Sequence, residues 1–176
     1  MSERMKAGHY FEGRNYFYLM HLSYGTMTEE DRREHWNYAK DRDHPLIGLD
    51  LPDEVPRDWN DMSYSEKQAL RSRRPIWYDQ FEMFCNEMEV NALVIVANGW
   101  DSLLGIGKVK ASQPPYEHHV ELRNIFFDHT RKVRWDVAKE YADRIRLSTP
   151  LTGFDRTLLR VKANSRFWKI LSNVDL

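Results

Sequence analysis

The chain has 176 residues, with 26 Lys plus Arg against 27 Asp plus Glu and a formal net charge of −1. That fits one domain able to bury a core without staples and excludes a bulk polyanion binder of the histone kind, so any nucleic-acid contact has to come from a local patch or from pocket chemistry. The single cysteine, Cys85, excludes an internal disulfide, no apolar run reaches membrane-spanning length, and the N-terminus lacks a signal-peptide core, so the chain reads as cytoplasmic with no membrane partner.

In chain order, residues 1–8 are polar and read as frayed. Residues 15–22 (NYFYLMHL) are aromatic and apolar and predict a buried strand. Residues 28–40 open on a threonine cap and an acidic first turn, then become basic, which predicts a helix matched to its dipole. Residues 45–51 (PLIGLDL) predict a short strand, and residues 52–61, with two prolines and several acids, a loop. Ser63-Tyr64-Ser65-Glu66 is a capping box opening a helix to about Arg73. Pro75 suits the first turn of the next helix. There Trp77, Phe81, Phe84, Cys85 and Met88 recur at helical spacing and predict a core face.

Residues 92–97 (ALVIVA) predict a buried strand that returns, after a turn at 98–102, as the hairpin partner 103–110. Residues 119–127 and 132–135 predict two further strands. Residues 136–145 predict a helix with Val137, Tyr141 and Ile145 on one face. A last strand at 157–161 and a last short helix at 166–171 complete the order. Strands and helices alternate without the regular βαβ period, which predicts an α+β domain: a curved, mostly antiparallel sheet or small barrel with flanking helices.

Catalytic patterns are missing from the sequence. His118 and His119 are adjacent, so in a strand they face opposite ways and make a poor metal pair. There is no H-x-E…C-x-x-C, no H-E-x-x-H and no G-x-S-x-G. Cys85 sits on the apolar helix face, where a buried thiol is inert. Gly105-Ile106-Gly107-Lys108 has neither the spacing nor the hydroxyl of a phosphate-binding loop. The expectation is a binding module that is not an enzyme and carries no cofactor and no metal.

The order of YFYLMHLS, a helix, LIGLDL, a helical stretch ending in FEMFCNEM, the hairpin VIVANGWDSLLGIGKV and the strand KVRW resembles the PUA-like superfamily, in particular its EVE and YTH branches, across roughly residues 14–171. The helical insert at about 28–40 and the V-R-W strand look most like the N-terminal specificity domains of McrB-type modification-dependent restriction systems, including archaeal ones. The resemblance implies a reader of duplex DNA that flips a modified base into an aromatic pocket, N6-methyladenine first and methylcytosine second. It also implies a GTPase motor domain in a parent protein.

By resemblance to YTH domains, the pocket lies where the first strand, the second short strand and the central hairpin end. Those places hold His21, Ser23, Leu49, Asp50, Asn98 and Trp100. YTH domains carry a cage tryptophan in the second strand, where this chain has Leu49 and Asp50. Trp59 or Tyr64, or else Trp36 or Tyr38, are the substitute rings. Asp50 could accept a hydrogen bond from a base amino group or cap the next turn. Trp100, between Gly99 and Asp101, has no obvious core duty, so stacking and structural roles are both open to it. Trp59 reads equally as a plug in its loop, His21 as a satisfied buried histidine, and Trp77 and Trp135 as core.

Arg71, Arg73 and Arg74 at a helix junction, and Arg131, Lys132 and Arg134 with Arg123 nearby, are the candidate phosphate contacts, with a solvated surface as the bland reading. RNA is the alternative ligand. A protein-interaction surface built on exposed rings is a third reading.

Overall fold

The computed structural model describes residues 5–22, 27–41, 43, 45–49, 58–122, 127–153 and 156–176. Its centre is an eight-stranded sheet with main order β2-β6-β4-β3-β1-β8. Here β1 is Tyr16–His21, β2 Leu46–Leu49, β3 Leu93–Asn98, β4 Ser102–Val109, β5 Glu117–His118, β6 His129–Ala138, β7 Ile145–Arg146 and β8 Leu158–Lys162. β5 adds to β6 and β7 to β4. Only the β1–β3 pairing is parallel; the other pairings are antiparallel. The result is α+β, a curled mixed sheet closing half a barrel.

Both faces of the central strands are covered, so they read as continuous apolar runs rather than alternating ones. The alternation is still present in three dimensions. Tyr18, Met20, Val94 and Val96 enter one core, with Trp36, Trp59, Phe81 and Phe84. Phe17, Leu19, Leu93, Ile95 and Ala97 enter the other, with Phe11, Leu151, Val161 and Leu171.

The helices are α1 (Glu29–Ala39), α2 (Tyr64–Arg73), α3 (Pro75–Glu82) and α4 (Arg166–Ser172). Thr28 and Asp31 cap α1 reciprocally, and Ser63 and Glu66 do the same for α2, each pair satisfying amide donors that a helix start leaves unpaired. α3 begins on Pro75 and runs into a π turn at Met83–Glu87. None of the described helices is long and apolar enough to cross a membrane.

The Gly-Ile-Gly stretch of β4 has a packing cause. A methyl on Gly105 would lie 2.6 Å from the Trp36 ring, and one on Gly107 2.6 Å from the Trp135 ring and 2.8 Å from the Arg134 carbonyl. The two indoles meet edge to face at 5.3 Å. Trp36 Nε1 donates to the Lys139 carbonyl (2.7 Å) and Trp135 Nε1 to the Ala39 carbonyl (2.9 Å). These reciprocal bonds fasten α1 to the far end of β6.

Two expectations are corrected. The strand predicted at 119–127 does not form at its start: the pairing stops at His118 and a 3-10 turn follows at Val120–Leu122, while residues 123–126 lie outside the described residues. Residues 136–145 are not a helix. β6 runs on to Ala138, pairing Val137 with Ile106 and Ala138 with Gly105, then gives way to a 3-10 turn at Tyr141–Asp143 and to β7. The helical spacing of Val137, Tyr141 and Ile145 loses to the free edge that β4 offers, since tertiary pairing overrides local propensity. Of the stretch read as frayed, residues 5–8 are described: Ala7 N donates to the Val174 carbonyl (2.8 Å) and Leu176 N to the Met5 carbonyl (3.0 Å).

Candidate functional site

The parallel strands β1 and β3 end side by side, with His21 opposite Ala97, and three of the predicted pocket residues meet there. His21 and Asn98 are buried, while Trp100 is 42% exposed. The Trp100 and His21 rings lie 5.2 Å apart at 38°.

The turn that carries Trp100 is held on several sides. Gly99 adopts φ +60°, a left-handed conformation that favours glycine. Ser102 Oγ donates to the Asn98 carbonyl (2.9 Å) and the Tyr141 hydroxyl to Asn98 Oδ1 (3.3 Å). Leu147 N donates to the Asp101 carbonyl and Leu151 N to the Trp100 carbonyl, both at 2.7 Å. Arg146 pairs with the Asp101 carboxylate at 2.7 Å. Such a turn fixes the position of the indole, which is 42% exposed. Tyr141, Ser102 and Arg146 are site residues that sequence reasoning missed. Tyr141 was assigned to a helix face, and nothing in the spacing links it to Asn98.

The other expected residues are elsewhere. Trp59 is a core ring with no exposure, packed on Tyr78 (5.5 Å) and Phe81 (5.6 Å) beneath the Lys67 ammonium; that burial removes it as a cage ring in this structure. Leu49 is buried on β2 opposite His129. Tyr64 is 79% exposed at the first position of α2. Ser23, Asp50 and Arg123 lie outside the described residues. Trp36 and Tyr38 pack with the core of the half-barrel.

The seam between β1 and β2 is nearly closed. Met20, His21, Leu22, Ile47, Gly48 and Phe127 line a cavity of about 20 Å³, which holds a water and not a base. Phe127 fills the seam because Gly48 leaves it room: a methyl on Gly48 would overlap the Phe127 side chain. His35 of α1 meets Phe127 edge-on at 5.2 Å, and burial holds its pKa below the ordinary imidazole value.

Of the phosphate candidates, Arg71, Arg73 and Arg74 are exposed at the α2–α3 junction, with the Arg71 guanidinium 5.3 Å from the Tyr78 ring centre. Arg131 is removed from the surface: it is buried, and its guanidinium donates to the Phe84 carbonyl in the π turn (2.7 Å). Alternation along β6 turns it inward. Lys132, its neighbour, faces outward and pairs with Glu117 at 2.8 Å, which lowers the Glu117 pKa. An open groove of about 610 Å³ runs past Lys40, Lys110, Arg134 and Trp135. Asp41 and Glu140 also line it.

Cys85 is buried and burial pushes its thiol pKa upward, so it is a poor nucleophile. No curated protein and no solved structure matches the chain. Residues 23–159 match a family described as a domain of unknown function, DUF8426, and that span is most of the sequence. The chain belongs to the DUF8426 family.

Proposed function

We propose that this domain binds a nucleic acid by holding one unstacked base against Trp100, and that its ligand is duplex DNA carrying a modified base. N6-Methyladenine is the first choice of mark and methylated cytosine the second, following the resemblance of the sequence to EVE and YTH-like readers within the PUA-like superfamily. On this reading the chain is the specificity module of a modification-dependent restriction system. It has no catalytic step of its own, and its partner in the parent protein is a GTPase motor.

The observation that carries the reading is the half-exposed Trp100 ring on a turn fixed by five hydrogen-bonding neighbours, Ser102, Tyr141, Arg146, Leu147 and Leu151. Stacking of one base on an aromatic ring contributes about 1–3 kcal/mol. Flipping a base out of a duplex costs on the order of a few kcal/mol, least at a damaged or mismatched pair. Contacts to the base edge must supply the difference, and the amide of Asn98, which already accepts from the Tyr141 hydroxyl, is the candidate for one. A base seated deeper than the Trp100 face has to displace Phe127 from the seam. The Gly105-Ile106-Gly107-Lys108 stretch supports a reader rather than a nucleotidase, because it lies within β4 under Trp36 and Trp135.

The test is a titration of the full chain against matched DNA duplexes bearing N6-methyladenine, 5-methylcytosine or no mark, with matching RNA, at one fixed salt concentration. Preference for one marked duplex is the expected result. Equal binding to all duplexes, or to none, overturns the reading, and tight RNA binding that ignores the mark reassigns the domain as an RNA module.

A further inference from the structure

Away from Trp100, the described residues hold an enclosed group of metal-ligating side chains. β5 and β6 pair so that His118 stands opposite His129. Opposed residues of an antiparallel pair project from the same face, and the two imidazole centres are 4.6 Å apart. Asp128 sets one carboxylate oxygen against each ring: Oδ1 lies 2.7 Å from His129 Nδ1, and Oδ2 lies 3.7 Å from His118 Nε2. One donor atom from each of the three falls within 4.8 Å of the other two. The side chains are 0% (His129), 4% (Asp128) and 13% (His118) exposed.

We propose that His118, Asp128 and His129 bind a divalent transition-metal ion, with zinc the best match. Zinc takes nitrogen and oxygen donors at about 2.0–2.2 Å, which places neighbouring tetrahedral donors roughly 3.3 Å apart. The three donor atoms lie within 4.8 Å of one another, a spacing that small side-chain rotations bring to that value. Two imidazoles and one carboxylate are a donor set for zinc or ferrous iron, whereas calcium and magnesium prefer oxygen shells. Three protein donors leave a fourth position for water.

The His129 ring adds a second observation: its Nε2 is buried and has no hydrogen-bond partner among the described residues, so the ring offers a donor atom that protein contacts do not use. The rings of Tyr116 (6.0 Å) and Phe81 (5.0 Å) flank His129 and restrict solvent. The ion fastens the short β5 strand to β6.

The test uses the full chain stripped with a chelator and titrated with Co²⁺, read by visible absorption, with Zn²⁺ then added as competitor. The expected result is one Co²⁺ per chain with the strong bands of four-coordinate cobalt, displaced by Zn²⁺. His118→Ala and Asp128→Asn weaken it by about 100-fold or more, beyond the loss from removing an outer-shell partner, while His119→Gln keeps it. Zinc raises the Tm of the wild type and not that of His118→Ala. Absence of Co²⁺ binding by the wild type overturns the proposal, as does equal binding by His118→Ala or loss in His119→Gln. Should Asp128→Asn fail to fold, His118→Ala and the wild-type titration decide.

Discussion

Two regions of the sheet treat their polar and aromatic groups in opposite ways. Where β1 and β3 finish, neutral hydrogen bonds and one surface ion pair hold a turn rigid, and the ring at its tip is 42% exposed. Where β5, β6 and β2 meet, the rings are inside and so are charged and titratable groups: His118, Asp128, His129 and Arg131 lie with Phe81, Phe84 and Tyr116. A rigid support with an exposed ring can meet a ligand without losing fold stability. Enclosed charges can only be satisfied locally, so their removal is felt by the fold. On the proposed reading the first region serves recognition and the second structural reinforcement.

The sharpest way to break that contrast is His129→Ala. It removes the hydrogen-bond contact of His129 Nδ1 with the buried Asp128 carboxylate, and a hydrogen bond to a buried charged group is worth about 1.5–3 kcal/mol. Urea unfolding of the metal-free protein checks this; a change below about 1 kcal/mol would mean the cluster is not a coupled unit.

Trp100→Ala is the counterpart. Its stability is expected to stay within about 1 kcal/mol of wild type. Its affinity for the preferred duplex falls about 5- to 150-fold, the equivalent of about 1–3 kcal/mol of stacking. Fluorescence anisotropy at fixed salt, alongside urea unfolding, measures both.

Gly107→Ala tests the bond between α1 and β6. Its methyl meets both the Trp135 ring and the Arg134 carbonyl, and overpacking of this kind costs about 1–3 kcal/mol. Nucleic-acid affinity of the folded fraction stays unchanged, because the collision lies away from the 98–102 turn. Thermal unfolding paired with binding separates the two effects.

The smallest effect is at Glu117. Its pKa is held low chiefly by Lys132. A carboxylate with a lowered folded pKa adds stability above its unfolded pKa, near 4.3, and that stability is lost as pH falls through the folded pKa. The pair is partly exposed, so Glu117→Gln is expected to cost about 1 kcal/mol or less near neutral pH and nothing in strong acid. Unfolding curves across that range check the sign.

What the sequence revealed was local. The Thr28 cap, the Ser63–Glu66 capping box, the Pro75 start, β1, β3 and the hairpin to β4 follow from short-range chemistry, and the structure has all of them. The stretch 136–145 misled because its helical spacing competes with a strand edge supplied by β4, far away in sequence. Trp59 and Trp100 are the same residue type in loop-like surroundings, yet one is sealed in the core and the other half exposed; only the packing partners separate them. Arg131 and Lys132 are adjacent cations whose fates differ by strand alternation. His118 and His129 were not legible as a pair, because the β5–β6 pairing alone brings them together. His21, Asn98 and Trp100 were grouped through the resemblance to YTH domains, which implies a pocket at these strand ends.

The central claim is that the exposed Trp100 face holds a base and that the mark on the base is what it reads. The most direct measurement is a two-by-two comparison of wild type and Trp100→Ala, each titrated with the N6-methyladenine duplex and the same duplex unmarked. The account predicts that the wild type prefers the marked duplex and that Trp100→Ala binds both alike. A preference of equal size in both proteins, or in neither, would contradict it.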